Sequence, residues 1–173
     1  MQERLKEYIE FGALKELDHY QHHSTIQPIH VTAKEGKKIR LVVDFSRNMN
    51  EFLVHEYFQY TSVQDAVNLS AQNSWFVKVD VTNCYLSFPI SEDTAELCKV
   101  KLDNKYYKFI TLPFGLSPAP LMCTKLLAIL QFVMEQRQCK LIRYLDDSLF
   151  VASSEEESMR MLSTARQVIK SLG

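Results

Sequence analysis

Glycine, proline and cysteine are scarce in this sequence, and each scarcity excludes a class of protein. Four glycines and five prolines in 173 residues are too few for a low-complexity or disordered chain. The four cysteines form no CxxC pair, which disfavours a disulfide framework or a zinc site and favours buried free thiols in a reducing compartment. No apolar run reaches the roughly 20 residues of a membrane span, and no signal peptide opens the chain. We therefore expect an intracellular protein, cytoplasmic or nuclear, with no membrane partner.

An excess of charge of one sign is lacking as well. The formal net charge is −1, so no global electrostatic field marks the chain as a nucleic-acid binder, and any such surface must be local. Apolar residues make up 46% of the sequence and charged residues 24%. This composition, at this length, is typical of one globular domain with a sizeable core.

Helical and alternating patterns are mixed along the chain, which predicts an α+β fold. Ser62 with Asp65, and Ser154 with Glu157, have the spacing of a capping box at the start of a helix. The predicted helices cover about 2–11, 62–71, 118–137 and 154–172. The predicted strands cover 26–32, 39–45, 75–80, 97–102 and 106–112, with a short strand near 87–90 and a hairpin over 141–151.

The hairpin over 141–151 carries two adjacent carboxylates at its tip. Apolar, β-prone residues run up to Asp146 and Asp147 and resume directly after them. Two-residue hairpin turns prefer Asn-Gly or Asp-Gly because their backbone needs positive φ, and no glycine is present here. A solvated Asp-Asp turn and a site that holds a cation both account for this pair when it is considered alone.

A third aspartate favours the cation site. Asp80 ends the alternating strand that begins at Trp75, and if this strand neighbours the hairpin, the carboxylates meet at one edge of a sheet. Several hard oxygen ligands fit Mg²⁺ rather than zinc. Two such ions, about 3.5–4 Å apart, activate an attacking hydroxyl and stabilise the leaving oxygen in phosphoryl transfer.

Basic residues are concentrated between Lys34 and Arg47, where five lysines and arginines are accompanied only by the acids Glu35 and Asp44. Lysines on a solvated edge strand explain this composition, and so does a surface that holds phosphates. Three histidines within 19–23 lie in a polar stretch without a cluster of partner ligands, and we interpret them as surface residues.

Taken in order, these features resemble the reverse transcriptase family of retroelements, in its fingers and palm portion. The segment from Lys34 to Phe45 resembles the fingers hairpin and the strand that follows it. Residues 76–85, FVKVDVTNCY, resemble the first catalytic motif, and residues 112–120, LPFGLSPAP, the nucleotide-pocket motif. Residues 144–147, YLDD, resemble the YxDD box. The Pro-Phe-Gly-Leu segment is most similar to retrotransposon sequences, and among these to the DIRS-like elements.

This resemblance implies a fold and a metal site. The implied fold is an α+β polymerase palm, an antiparallel ferredoxin-like sheet backed by helices, with a β-rich fingers subdomain. Asp80 and Asp146 would each bind both of two Mg²⁺ ions, for which Mn²⁺ can substitute. Asp147 would support the metal site or the primer end, and the backbone carbonyl of Val81 would complete a metal site.

The resemblance also implies a site for an incoming deoxynucleoside triphosphate. Lys34 and Arg40 would contact the triphosphate. Phe114 and Gly115 would line the nucleotide pocket, where glycine lets the backbone approach a substrate closely.

Two tyrosines are implied to contact the substrates, which include a template of RNA or DNA with its primer. Tyr85 would lie under the sugar and clash with a 2′-hydroxyl, which favours deoxynucleotides. Tyr144 would touch the primer strand. Aromatic core packing is the alternative for both side chains.

The resemblance covers nearly all of the 173 residues, as a single fragment. Residues 46–50 are one residue longer than the family's usual pattern, so no role is carried over to them. The sequence stops where the next palm motif would begin, and the thumb and RNase H regions of a parent polyprotein are expected to be missing. The fingers would comprise about 1–53 and 88–117, and the palm about 54–87 and 118–173.

Three hypotheses follow for the function. The first is an RNA-directed DNA polymerase domain that transfers nucleotides to a primer 3′-hydroxyl by two-metal catalysis, with its activity as a truncated fragment left open. The second is a non-catalytic retroelement remnant that binds nucleic acid or a protein. The third is an RNA-copying RNA polymerase with a similar palm, which Tyr85 disfavours.

Overall fold

The computed structural model describes residues 2–18, 25–32 and 40–172, which belong to two compact units. The first unit comprises Met1–Glu56 and Asn83–Ala119, and the second comprises Tyr57–Thr82 and Pro120–Gly173. In chain order, the helices and strands are α1 (Gln2–Glu10), β1 (Leu14–Leu17), β2 (Ile26–Gln27), β3 (Ile29–Thr32), β4 (Arg40–Val43), α2 (Val63–Leu69), β5 (Trp75–Asp80), α3 (Glu92–Leu97), β6 (Lys99–Leu102), β7 (Lys105–Phe109), α4 (Ala119–Gln136), β8 (Leu141–Tyr144), β9 (Asp147–Ala152) and α5 (Glu155–Leu172).

The first unit contains a four-stranded sheet and a two-stranded sheet. The larger sheet has the strand order β1-β7-β6-β2, in which β2 joins β6 in parallel and the other pairs are antiparallel. The smaller sheet pairs β3 with β4 in an antiparallel register, as the alternating patterns predict. Its connecting segment, residues 33–39, lies outside the described residues. A buried core that includes Leu41, Phe45, Phe109 and Leu112 holds the unit together.

The turn between β6 and β7 shows why the sequence predicts a hairpin there. Asp103 and Asn104 have φ values of 47° and 64°, the left-handed region that two-residue hairpin turns require. Aspartate and asparagine tolerate this region better than most residues. The predicted hairpin is therefore confirmed.

Two buried lysines lie side by side in β6 and β7. Lys99 and Lys108 are register partners, and each side chain is 8% exposed. Glu96 of α3 forms ion pairs with both ammonium groups, and Glu92 forms a second ion pair with Lys108. The hydrogen bond from Lys99, followed by that from Lys108, lowers the pKa of Glu96 from its ordinary value of 4.5. Charge-assisted hydrogen bonds therefore attach α3 to the sheet.

Glu96→Gln is expected to lower the free energy of unfolding by about 1–2 kcal/mol at neutral pH, because two buried ammonium groups lose a carboxylate that water partly screens. The pKa of Glu96 is lower in the folded state than in the unfolded state, so the stability that its carboxylate contributes is complete above the unfolded pKa near 4.5. That stability is lost as the pH falls through the folded-state pKa. Urea unfolding at neutral pH and at about pH 3 measures the effect. Glu10→Gln, at the exposed end of α1, is the control; equal losses in the two variants would contradict the expectation.

The second unit is a three-stranded antiparallel sheet with helices against it. The strand order is β5-β9-β8, and the elements follow one another as β5, α4, β8, β9 and α5, the order of a ferredoxin-like unit. Phe150, Val151 and Ala152 of the central strand β9 are buried. α5 packs against β5 and β9. Arg143 of β8 donates from Nη2 to the carbonyl of Thr124 in α4 at 3.1 Å, so both long helices support the sheet.

The helix starts agree with the capping patterns, with one difference in detail. At α2 both halves of the predicted capping box, Ser62 and Asp65, are present. At α5 the Ser154 hydroxyl accepts from the amide of Glu157 at 3.1 Å. The Glu157 carboxylate accepts from the amide and hydroxyl of Ser153, rather than from the amide of Ser154. The helix begins where the sequence predicts, and the capping contact is displaced by one residue.

The short strand predicted near 87–90 is wrong. Residues Cys84–Ser87 form a 3-10 helix, which a single bridge between Pro89 and Thr111 follows. The amide of Ile90 donates to the carbonyl of Ile110 and that of Leu112 to the carbonyl of Phe88, so the pairing is limited to the two hydrogen bonds around this bridge. α3, which the sequence patterns do not predict, begins directly afterwards, with Ser91 as its N-cap.

Within the described ranges, no helix is long and apolar enough to cross a membrane. All four cysteines are described, and they are buried thiols outside any disulfide. Burial raises the pKa of the Cys98 thiol to about 12 and also raises that of Cys139. These side chains therefore serve as apolar core residues, as their sequence surroundings predict.

Candidate functional site

Two strands of the second unit bring the aspartates together at one edge of the sheet. β5 and β9 are antiparallel neighbours, and Asp80 is the register partner of Asp147. Residues directly opposite each other in such a pair have Cα atoms about 4.5–5.5 Å apart and side chains on the same face of the sheet. The adjacency of these two strands, on which the predicted cation site depends, is therefore confirmed.

The turn of the β8–β9 hairpin holds the third aspartate. Tyr144 pairs with Asp147 across the hairpin, so Leu145 and Asp146 form the two-residue turn. The tip is therefore one residue earlier than the Asp146–Asp147 pair that the sequence suggests. Leu145 has a φ of 55°, which is costly for a side chain with a Cβ atom. The amide of Val81 donates to the carbonyl of Asp146 at 3.1 Å and ties the turn to the end of β5.

A lysine that the sequence patterns did not single out lies among these acids. Lys78 precedes Asp80 by two residues in β5, so both side chains lie on the face of the sheet that carries Asp147. Lys78 Nζ is 2.9 Å from Asp147 Oδ2. Asp147 Oδ1 is buried and accepts no hydrogen bond from any described residue. One carboxylate oxygen is thus paired with an ammonium group, and the other is left unsatisfied.

The acids influence one another electrostatically. Burial raises the pKa of Asp146 above its ordinary value, and the negative charges of Asp80 and Asp147 raise it further. The hydrogen bond to Asp147 raises the pKa of Lys78, and the charges of Asp147, Asp80 and Asp146 act in the same direction. The cluster therefore concentrates negative charge that one lysine balances only in part.

The chemistry of these donors fits a divalent cation of the Mg²⁺ type. Carboxylate oxygens, together with the backbone carbonyl of Val81, are the hard ligands that Mg²⁺ prefers. The unsatisfied Oδ1 of Asp147 is one buried oxygen that a cation would satisfy. Among the residues that the structure describes, no three acidic, histidine or cysteine side chains are placed so that together they could hold a metal ion. The donor types therefore fit the ion, with Asp147 engaged by Lys78.

Tyr144 belongs to an aromatic contact beside the acids. Its ring centroid is 5.1 Å from that of Tyr60, and its side chain is 51% exposed. Thr61 donates a hydrogen bond to the carbonyl of Arg143, the residue before Tyr144. Aromatic contact, rather than core burial, is therefore the environment of Tyr144.

A cavity of about 500 Å³ opens on the same face of the second unit's sheet. One wall comes from the start of α2 and the other from the sheet. Its lining comprises Thr61, Ser62, Val63, Ala66, Lys78, Ile142, Tyr144, Asp147, Ser148 and Leu149. The Lys78–Asp147 pair is its charged end, since the rest of the lining is uncharged.

The residues predicted to line a nucleotide pocket lie in the first unit. Tyr85 lies in the 3-10 helix after Asn83, and its ring centroid is 5.0 Å from that of Phe114. Gly115 has a φ of 101°, and a Cβ atom placed on it would lie 2.3 Å from the carbonyl oxygen of Val43. Glycine is therefore required here by a close approach of two backbone segments of the protein itself.

Asn50 secures the loop that contains Gly115. Its Nδ2 donates to the carbonyl of Gly115 at 2.9 Å, and its Oδ1 accepts from the amide of Ser117 at 2.8 Å. Because residues 46–50 depart in length from the family pattern, no role was predicted for Asn50. A search for asparagines near turn residues would have found it, since asparagine pairs readily with backbone groups.

Two predicted phosphate contacts are not described. Lys34 lies outside the described residues, and Arg40 is described only as the first backbone position of β4. Lys78 and Tyr60, in contrast, make described contacts that the sequence patterns did not predict. Side chains two residues apart in a strand lie on the same face, so the sequence of β5 could have assigned Lys78 to the face that carries Asp80.

Known proteins resemble this chain in sequence. The model of the family described as reverse transcriptase (RNA-dependent DNA polymerase) matches residues 31–173. The retrovirus-related Pol polyprotein from transposon 412 of Drosophila melanogaster is 27% identical over 129 residues, which is 75% of this chain and 10% of that protein. The Gag-Pro-Pol polyprotein of sheep pulmonary adenomatosis virus is 24% identical over 149 residues, 81% of this chain and 8% of that protein. The chain thus spans about a tenth of the length of these curated relatives.

A solved structure shares the fold. The foamy viral protease-reverse transcriptase dRH in complex with double-stranded DNA has a TM-score of 0.82 with this chain at 18% identity. The match covers 99% of this chain and 29% of that one. The mixed α+β fold predicted from the sequence is therefore confirmed.

Proposed function

Because the chain belongs to the reverse transcriptase family, we propose that it carries the polymerase site of an RNA-directed DNA polymerase from a retroelement. The observation that carries this proposal is the pairing of Asp80 with Asp147 beside the Asp146 turn, on two strands joined by backbone hydrogen bonds. The substrates are a template of RNA or DNA with its primer, and deoxynucleoside triphosphates. The reaction joins the primer 3′-oxygen to the α-phosphorus and releases pyrophosphate.

The acids of the second unit are proposed to hold two Mg²⁺ ions. Asp80 and Asp146 would bind both ions, the carbonyl of Val81 would complete one set of ligands, and Asp147 would support the site or the primer end. When bound, such ions acidify an attacking hydroxyl and neutralise charge on the transferred phosphate. The backbone hydrogen bond between Val81 and Asp146 ties the end of β5, which carries Asp80, to the hairpin turn that carries Asp146.

The first unit is proposed to select the nucleotide. Lys34 and Arg40 would contact the triphosphate, since guanidinium and ammonium groups pair strongly with phosphate oxygens. Phe114 and Gly115 would line the pocket, and the Tyr85 ring would exclude a 2′-hydroxyl. The contact between Tyr85 and Phe114 supports this assignment, because a ring held by a neighbour presents a fixed edge to the sugar.

The primer is proposed to meet Tyr144, whose exposed ring lies against Tyr60. We further assign about 1–53 and 88–117 to the fingers, and about 54–87 and 118–173 to the palm. The thumb and RNase H regions of the parent polyprotein would supply the remaining contacts to primer and template. The reduced, buried cysteines support an intracellular location, cytoplasmic or nuclear.

Primer extension tests the proposal directly. The 173-residue chain is incubated with oligo(dT) annealed to poly(rA), dTTP and Mg²⁺, and the products are resolved by length. The expected result is addition of thymidylate that stops when EDTA removes the metal. Retained binding of the primer-template without any addition, in this chain and in a version that continues into its natural C-terminal extension, would favour the non-catalytic alternative.

Tyr85→Ala is expected to raise the use of ribonucleotides relative to deoxynucleotides by about 10–100-fold, because removing the ring opens space for the 2′-hydroxyl. The measurement is the ratio of kcat/KM for UTP and dTTP on one template, which does not depend on the fraction of active protein. Tyr57→Ala, at a side chain that is 87% exposed, is the control. Equal discrimination by wild type and Tyr85→Ala would remove Tyr85 from the sugar contact.

A further inference from the structure

The ion pair between Lys78 and Asp147 is the feature of the second unit that the proposed polymerase chemistry does not use. Lys78 Nζ lies 2.9 Å from Asp147 Oδ2, although the two side chains remain 63% and 38% exposed. Exposed ion pairs of this kind contribute little to stability. A role in fold stability alone therefore gives no reason for an ammonium group at this position.

The position of Lys78 relative to all three acids suggests another role. Its charge interacts with Asp80 and Asp146 as well as with Asp147. Three carboxylates and one ammonium group leave two net negative charges, so Lys78 offsets part of the charge that attracts divalent ions to the cluster. In the absence of a divalent ion, Lys78 is the cation that the described structure brings to the cluster.

We propose that Lys78 is a built-in counter-cation of the carboxylate cluster, which holds Asp147 in the absence of a divalent ion and competes with that ion for Asp147. This inference rests on the proposed function, because it takes Asp80, Asp146 and Asp147 as the ligands. The unsatisfied Oδ1 of Asp147 marks the oxygen that remains for the ion while Lys78 holds Oδ2.

Removing the Lys78 ammonium group is expected to have two effects of opposite sign. Without a divalent ion, removing the ammonium group leaves the three carboxylates uncompensated, so the chain loses the small stability that the exposed pair contributes. With a divalent ion, the same removal relieves repulsion and frees Asp147, so the ion binds more tightly. A lysine with only a structural role would produce the first effect without the second.

The first measurement is the affinity of the full chain for Mn²⁺, from the electron paramagnetic resonance of free Mn²⁺. The second is the melting temperature of the chain in EDTA and in saturating Mn²⁺. Lys78→Met is expected to bind Mn²⁺ about threefold to tenfold more tightly than wild type. It is also expected to melt at a lower temperature in EDTA and to gain more from Mn²⁺ than wild type does. Lys78→Arg, which keeps the charge, is expected to behave as wild type.

Two controls separate the inference from its premise. Lys140→Met removes the same charge at the residue before β8, whose other end leads into the Leu145–Asp146 turn, and is expected to leave the affinity for Mn²⁺ unchanged. In an Asp147→Asn background, Lys78→Met is expected to lose most of its effect, since the two side chains act as a pair. The role of Lys78 would be overturned if wild type and Lys78→Met bound Mn²⁺ with equal affinity. It would also be overturned if Lys140→Met gained as much affinity for Mn²⁺ as Lys78→Met. Failure of wild type and Lys78→Met alike to bind Mn²⁺ would overturn the metal site itself.

Discussion

Asp146→Asn is expected to lower the rate of primer extension by about a thousandfold or more, because metal-ion catalysis of phosphoryl transfer contributes several kcal/mol. Asparagine keeps the size of the side chain and replaces a charged oxygen ligand by a neutral one. Burial and the neighbouring charges of Asp80 and Asp147 already disfavour the ionised carboxyl, so the substitution introduces no new repulsion. The fold is therefore expected to be retained, with an unchanged circular dichroism spectrum.

The matched control for this variant is Asp93→Asn in the first turn of α3, which makes the same chemical change in the first unit. Extension by the control is expected to equal that of wild type. Affinity for Mn²⁺ is a second readout, expected to fall in Asp146→Asn and to remain constant in the control. Retained extension by Asp146→Asn would remove Asp146 from the metal site, whatever the behaviour of the other acids.

Gly115→Ala is expected to lower the free energy of unfolding by about 3 kcal/mol or more, since a backbone clash and an unfavourable φ act together. The new Cβ atom would lie 2.3 Å from the carbonyl oxygen of Val43, which is backbone of β4 and cannot rotate away. For a chain of this length, such a loss lowers the melting temperature by about 6–12 °C. Thermal unfolding followed by circular dichroism measures the shift.

Gly12→Ala separates the two causes. Gly12 also has positive φ, 78°, but a Cβ atom added to it would have no heavy atom of the described residues within 4 Å. The expected loss there is about 1 kcal/mol, the cost of the left-handed conformation alone. A loss in Gly115→Ala no larger than that in Gly12→Ala would show that the contact with Val43 yields without cost, and that Gly115 is not needed for close packing.

Several features of the second unit could be predicted because local sequence encodes them. The alternation that ends at Asp80 gives a strand, since side chains two residues apart share one face. The apolar residues around Asp146 and Asp147 give a hairpin for the same reason. Which residues occupy its turn could not be predicted, because Leu145 adopts a φ that sequence patterns assign to glycine or asparagine.

In the first unit, too, local sequence predicts some of the elements and not others. The hairpin of β6 and β7 could be predicted from Asp103 and Asn104, which favour the left-handed turn. The short helix α3 and the strand β1 could not, because six and four residues give too little periodicity for a pattern. β1 is fixed by its pairing with β7, a strand far away along the chain. Such long-range pairing has no local signature.

The sequence by itself determined the mixed α+β class, the order of the aspartate-bearing motifs and the starts of helices α2 and α5. These properties follow from side-chain periodicity and from capping, which act over a few residues. Only the tertiary structure decided that Asp80 faces Asp147, that Lys78 pairs with Asp147, and that Gly115 meets Val43. Each of these contacts depends on which strands and loops become neighbours, and residues far apart in the chain meet only after the strands have paired in one register.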